Sequence, residues 1–252
     1  MLIDLDDTIL SAYGNPGAAW AEVVGEFADR LAGIPADAAT AAILASASSF
    51  WDDPERHRQW RQQMFPARRE VVRLAFERMA AEGAPDVAAN VRDELADRFS
   101  RLREERYELF PGAADALIAL REAGVLLALV TNGEGMYQRA KIERFDLARH
   151  FHHIQIEGEQ GFGKPEERAY RHALASVKVE AEEAWMIGDN LEWEVAAPQR
   201  LGIYSVWHDH AGGGLPKGST VVPDRIIQSL SELVAVTEVP ASSTPEEPTR
   251  SA

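Results

Sequence analysis

Apolar and polar positions along this chain follow two different periods. Met1-Leu2-Ile3 is an apolar run that meets acid at Asp4, which predicts a short buried strand within Met1–Leu5. Tyr13-Gly14-Asn15-Pro16-Gly17 is turn chemistry. From there to about residue 108 the apolar spacing is helical. One face carries Trp20, Val23, Val24, Phe27 and Leu31. A second carries Val71, Val72, Ala75, Phe76 and Met79, with Pro66 near its start, and a third carries Val87, Val91, Leu95, Phe99 and Leu102. After Phe110-Pro111-Gly112 the pattern alternates. The spacing predicts helices over 113–123, 136–148, 166–177, 192–201 and 225–236, and strands over 125–130, 153–157, 184–187 and 203–207. Strands alternating with helices imply crossover units and a parallel sheet flanked by helices, an α/β fold that the first strand joins. The predicted organisation is a core of residues 1–10 and 110–237, an all-helical insertion over 11–109, and a Pro/Ser/Glu-rich tail over 238–252 expected to be disordered.

Composition narrows the class. The 252 residues are 46% hydrophobic and 27% charged, an ordinary globular balance. Asp plus Glu number 41 against 26 Lys plus Arg, for a net charge of −15. That balance argues against nucleic acid or an anionic membrane as partner, because both need a basic footprint. The absence of cysteine excludes disulfides, thiolate nucleophiles and cysteine-held metal centres. No apolar run approaches the length of a membrane span, so a soluble, cytoplasmic protein is expected; the sequence leaves the oligomeric state open.

Ligands of open parallel sheets bind beyond the carboxyl ends of the strands. Those ends carry Asp4-Leu5-Asp6-Asp7-Thr8, Thr131-Asn132-Gly133, Gly163-Lys164-Pro165 and Gly188-Asp189-Asn190. Each is commonplace alone: a solvated turn, a tight loop, a proline opening a helix, a helix cap. Together they bring carboxylates, a hydroxyl and an ammonium to one sheet edge. Asp4 and Asp189 side by side would repel unless a cation neutralised them. One or two carboxylates completed by water and phosphate oxygens describe a magnesium site. Lys164, Thr131 and nearby backbone N–H groups suit a phosphate dianion and the charge that develops in phosphoryl transfer. Asp4 has the chemistry of a nucleophile, and Asp6 that of an acid/base group.

These residues resemble the motifs of the haloacid dehalogenase-like (HAD) superfamily. Asp4-Leu5-Asp6-Asp7-Thr8 looks like its first motif, Asp-x-Asp-x-Thr; Thr131 resembles the second, Lys164 the third and Gly188-Asp189 the fourth. The match covers residues 1–10 and about 110–235, and the helical block sits where the family inserts a helical cap. The resemblance implies a Rossmann-like core, magnesium, and an aspartyl-phosphate route on a small phosphorylated metabolite. It implies Asp4 as nucleophile and metal ligand, and Asp6 as acid/base and metal ligand through its backbone carbonyl. Asp189 would be the further metal ligand. Thr131 and Lys164, with Asn132 and Gly133, would hold the phosphoryl group. The loops look most like those of the sugar-phosphate and nucleotide phosphatases. Glu194 stands where the fourth motif often has a second Asp.

Other readings are a phosphomutase, a metal-free 2-haloacid dehalogenase and a non-catalytic phosphate-binding protein on the same fold. Gly133-Glu134-Gly135 opening a helix is a partial dinucleotide fingerprint, better read as a tight turn because Gln138 replaces the third glycine. Segment 51–80 is rich in arginine (Arg56, Arg58, Arg61, Arg68, Arg69, Arg73, Arg78). A solvated helix face laced with i,i+4 pairs accounts for it more simply than a substrate-binding patch. Trp51 and Trp60 read as core rather than as ring-stacking groups. His150, His152, His153, His208 and His210 read as surface or strand-edge residues rather than as a metal site.

Overall fold

The computed structural model describes residues 1–12 and 14–237; the Pro/Ser/Glu-rich tail expected over 238–252 lies outside the described residues. The chain starts in β1 (Leu2–Ile3), turns through the Asp4–Thr8 loop into β2 (Leu10–Ser11), and enters a helical block: α1 (Pro16–Glu26), α2 (Ala36–Trp51), α3 (Pro54–Trp60), α4 (Met64–Ala81) and α5 (Ala89–Glu105). It returns through β3 (Glu108–Leu109), antiparallel to β2, so this two-stranded ribbon carries both passages between the block and the rest. Then follow α6 (Ala113–Glu122), β4 (Ala128–Thr131), α7 (Gly135–Arg144), β5 (His153–Ile156), α8 (Glu157–Gln160), α9 (Glu167–Val177) and β6 (Trp185–Gly188). A π-helical stretch, Leu191–Ala196, runs into α10 (Ala197–Gln199). The chain then forms β7 (Tyr204–His208), β8 (Arg225–Ile227) and α11 (Ser231–Thr237).

The sheet has the order β5-β4-β1-β6-β7-β8 and all its pairs are parallel. Its strands are buried by helices on both faces, which is why they read as continuous apolar runs. One face packs Ile3, Leu129, Ile187 and Val206 against α6, α7 and α11. The other packs Leu2, Val130 and Met186 against Tyr170, Ala173 and Leu174 of α9. The helical block has its own core, in which Trp20, Val24, Ile43, Phe50, Val72, Phe76 and Leu95 meet. Two helix starts there are capped by side chains: Asn15 accepts from Ala18 N–H, and Asp53 from Glu55 and Arg56 N–H.

Three sequence expectations need correction. The predicted helix over 225–236 is a strand followed by a helix. The backbone of β7 needs a partner on its outer side, and Arg225–Ile227 supplies it, with Ile226 half-exposed on the edge. The predicted helix over 192–201 is π-helical for its first turn and a half. The block contains α2 and α3 besides the three expected stripes; α2 is alanine-rich, so its buried face (Ala39, Ile43, Ser46, Phe50) shows weak periodicity. The remaining boundaries move by one to four residues.

Candidate active site

β1 lies between β4 and β6, so the loops after these strands flank the Asp4 loop, and β5 brings the next loop alongside. Asp4, Asp6, Thr131, Asn132, Gly133, Lys164 and Asp189, all picked out by sequence, line a single cavity of about 570 Å³ between the sheet edge and the helical block.

Asp4 is buried just past β1, with its N–H donating to Ile187 O at 3.0 Å. The fully buried Lys164 ammonium donates to Asp4 Oδ1 at 2.5 Å and lies 2.6 Å from Glu194 Oε1. Thr8 Oγ1 donates to Asp4 Oδ2 at 3.3 Å. Burial alone would lower the Lys164 pKa, but attraction from Asp4 and Glu194 outweighs it, so the ammonium is held above its ordinary range. Burial raises Asp4, and Lys164 offsets that only in part. Glu194 is pushed up to about 7 by burial, against the pull of Lys164. Asp189 is pushed up to about 9, by burial first and then by Glu194, Asp4 and Asp7.

One ammonium thus faces two buried carboxylates, Asp4 and Glu194, with the half-buried Asp189 beside them, an excess of two negative charges if all are ionised. This excess is the observation that fits a divalent cation. No ion pair neutralises the Asp189 side chain among the described residues. Nor do three or more His, Cys, Asp or Glu groups converge there tightly enough to hold a metal by themselves. The donor set is therefore sparse and hard: two carboxylates with remaining positions left to water or substrate oxygens, which is magnesium's pattern rather than that of a closed protein cage.

Glu194 reaches Lys164 from within the π-helical stretch. Asn190 caps its start by accepting from Glu192 and Trp193 N–H at 3.0 Å each, and Glu194 Oε2 accepts from Asn190 N–H at 2.9 Å. Glu194 N–H in turn donates to Asn190 O at 2.8 Å, and π-helical stretches recur at functional sites. A side chain on Gly188 would overlap Glu194, so only glycine lets the carboxylate lie against β6.

The Lys164 backbone is clamped by Asn132, whose Oδ1 accepts from Lys164 N–H at 2.8 Å and whose Nδ2 donates to Lys164 O at 2.7 Å. Gly133 adopts φ 114°, a tight turn opening α7, and donates to Glu157 Oε2 at 3.1 Å. Glu157 is buried and paired with Arg61 from the helical block; Arg61 also donates to Lys164 O at 3.2 Å and lies over the Trp193 ring. Arg61→Met would leave a buried carboxylate with one neutral donor. It is expected to cost about 2 kcal/mol, read as a lower urea midpoint at an unchanged m-value.

Asp6 is held differently from Asp4. Lys141 Nζ lies 2.8 Å from both of its carboxylate oxygens, and Gln138 Nε2 donates to Oδ2 at 3.0 Å. Gln138 Nε2 also lies 2.6 Å from Thr131 Oγ1. Sequence reasoning missed Lys141, Gln138 and Glu157. The available signal was helical: positions 138 and 141 are three apart on the helix that starts directly after Thr131-Asn132-Gly133, so they face back to the strand end. The arginine-rich segment divides. Arg58 and Arg73 make the expected pairs along their own helices, whereas Arg61 and Arg68 line the cavity. Trp60 packs on the block's core, but Trp51 lines the cavity as well. His150 and His208 are buried rather than at the surface; His208 lies 3.0 Å from Asp7 O.

Comparison with known proteins finds similarity over most of the chain. A haloacid dehalogenase-like hydrolase family model matches residues 1–202. A phosphoserine phosphatase of Thermus thermophilus is 37% identical over 214 residues, covering 85% of this chain and 76% of the relative. A glyceraldehyde 3-phosphate phosphatase of Pyrococcus abyssi is 36% identical over 110 residues, 44% of each chain. Among solved structures, the HAD-hydrolase YfnB of Bacillus subtilis, determined with magnesium bound, superposes with a TM-score of 0.68 at 24% identity, over 94% of this chain and 97% of that one; at that identity the likeness is one of fold. The match over most of the chain, together with the strand-end residues gathered in one cavity, identifies this protein as a member of the haloacid dehalogenase-like hydrolase family.

Proposed function

We propose that the protein is a magnesium-dependent phosphoric monoester hydrolase acting on a small phosphorylated metabolite through a phosphoryl group carried on Asp4. The reading rests above all on Lys164 lying between Asp4 and Glu194 beside the uncompensated Asp189. The family match and relatives named as phosphatases support it.

In this reading residues 1–10 with 110–237 are the catalytic core and 11–109 a helical cap. Asp4 Oδ attacks phosphorus, and Lys164 and Thr131 hold the phosphoryl oxygens with N–H groups of the Asn132-Gly133 turn. Asp6 gives a proton to the leaving alcohol, and then takes one from the water that opens the acyl phosphate and restores Asp4. Asp4, Asp189 and the Asp6 backbone carbonyl would hold the magnesium, which supplies the positive charge that lets an anionic carboxylate approach a phosphate dianion. Lys141 keeps Asp6 oriented, and Glu194 keeps Lys164 charged and in place. The cap shields the acyl phosphate from bulk water.

Phosphate release from a panel of phosphorylated metabolites is expected with magnesium, to vanish with EDTA and to return when magnesium is restored. A second readout needs no turnover. Magnesium at a hundredfold excess over its Kd should stabilise the protein by about 2.7 kcal/mol, seen as a raised melting midpoint. Activity indifferent to EDTA would overturn the metal assignment.

A further inference from the structure

The phosphate end of the cavity is charged, but its walls are aromatic. β4 and β6 flank β1, so the elements that follow them rise on either side of Asp4. On the β6 side stands Trp193. His57 of α3 packs edge-on against it at 5.3 Å between centroids, and Trp51 packs edge-on against His57 at 5.6 Å. On the β4 side stands Tyr137 of α7, with Phe65 of α4 stacked on it at 5.2 Å and 13°. All five rings line the cavity. Trp51, Phe65, Tyr137 and Trp193 are half-buried, so each ring keeps surface that a ligand can cover, although Arg61 lies over one part of Trp193 and Phe65 and Tyr137 cover each other on one face.

The volume, about 570 Å³, falls in the range of sites for drug-sized ligands. A phosphorylated three-carbon compound held by Lys164 would fill only the floor and leave both aromatic walls wet. Covering such walls is favourable for an apolar planar group and unfavourable for a compact zwitterion. Arg68 lines the same cavity over the Phe99 ring at 5.5 Å, and its guanidinium has no ion pair or hydrogen bond among the described residues. It remains available to an acceptor on the far part of a long substrate.

From the two aromatic walls flanking Asp4, we infer that the preferred substrate is a phosphomonoester whose alcohol portion bears a planar ring of aromatic or heteroaromatic type. The inference rests on the phosphatase reading above and specifies the leaving group for that site.

The test is steady-state kinetics with magnesium on two sets of probes. One set is phosphoserine and glyceraldehyde 3-phosphate; the other is phosphotyrosine, pyridoxal 5′-phosphate and the nucleoside 5′-monophosphates. At least one ring-bearing ester should exceed both small esters in kcat/KM by roughly tenfold or more, the scale of one good aromatic contact. Trp51→Ala and Phe65→Ala should each lower kcat/KM for that ester by about tenfold through KM, and that for phosphoserine by less than about threefold. Phe65→Leu keeps bulk while removing the ring, so it serves where truncation to alanine unfolds the cap. Equal or better turnover of phosphoserine or glyceraldehyde 3-phosphate overturns this inference and leaves the phosphatase reading standing. So does an equal loss on both sets in the variants. Hydrolysis of no phosphomonoester by the folded, magnesium-loaded protein overturns both.

Discussion

Asp4→Asn is expected to lower kcat by at least about 10⁴-fold, because an amide oxygen cannot form and release the acyl phosphate. The fold should survive. Asp4 is anchored through its backbone N–H to Ile187 O, and the amide keeps the size of the acid and an acceptor for Lys164. Circular dichroism matching the parent protein, with phosphate release at background, is the expected pair of results. A well-folded variant turning over at near-native rates would show that another group attacks phosphorus.

Lys164→Met is expected to be the most destabilising single change at the site. Lys164 is 1% exposed, and it is the cation that touches both Asp4 and Glu194. Without it, the buried Asp4 and Glu194 and the half-buried Asp189 stay together with their mutual repulsion unopposed. Removing one member of a buried ion pair costs about 3–5 kcal/mol, which urea unfolding resolves easily. Glu194→Gln in the same chain removes one of the repelling charges. The double variant should therefore lose less than the two single losses added together, a positive coupling of the kind contacting residues show. Additive losses would mean that the two side chains do not share their charge in solution. Turnover should be lost as well, since among the described residues no other ammonium pairs with Asp4.

Much of this arrangement is legible in the linear chain, for an identifiable reason. Strands buried on both faces read as unbroken apolar runs, and each must stop where the chain turns to solvent. Leu2-Ile3, Ala128–Thr131 and Trp185–Gly188 end in that way, so Asp4, Thr131 and Asp189 fall at strand ends by position alone. The parallel order follows from alternating strands and helices. The cavity-lining role of Arg61 and Arg68 was not legible, because Arg58 and Arg73 in the same stretch do make ordinary helix-face pairs.

The linear order of residues determined by itself the α/β class, the helical insertion and the strand-end acids, since burial imposes a pattern on local sequence; the predicted strand-end lysine instead lies beyond α8, in the loop before α9. Tertiary structure alone decided which charge neutralises which. Lys141 meets Asp6 across 135 positions, Lys164 meets Asp4 across 160, and Arg61 meets Glu157 across 96. Electrostatic pairing depends on distance in space, and nothing local in the chain records a contact made between elements so far apart.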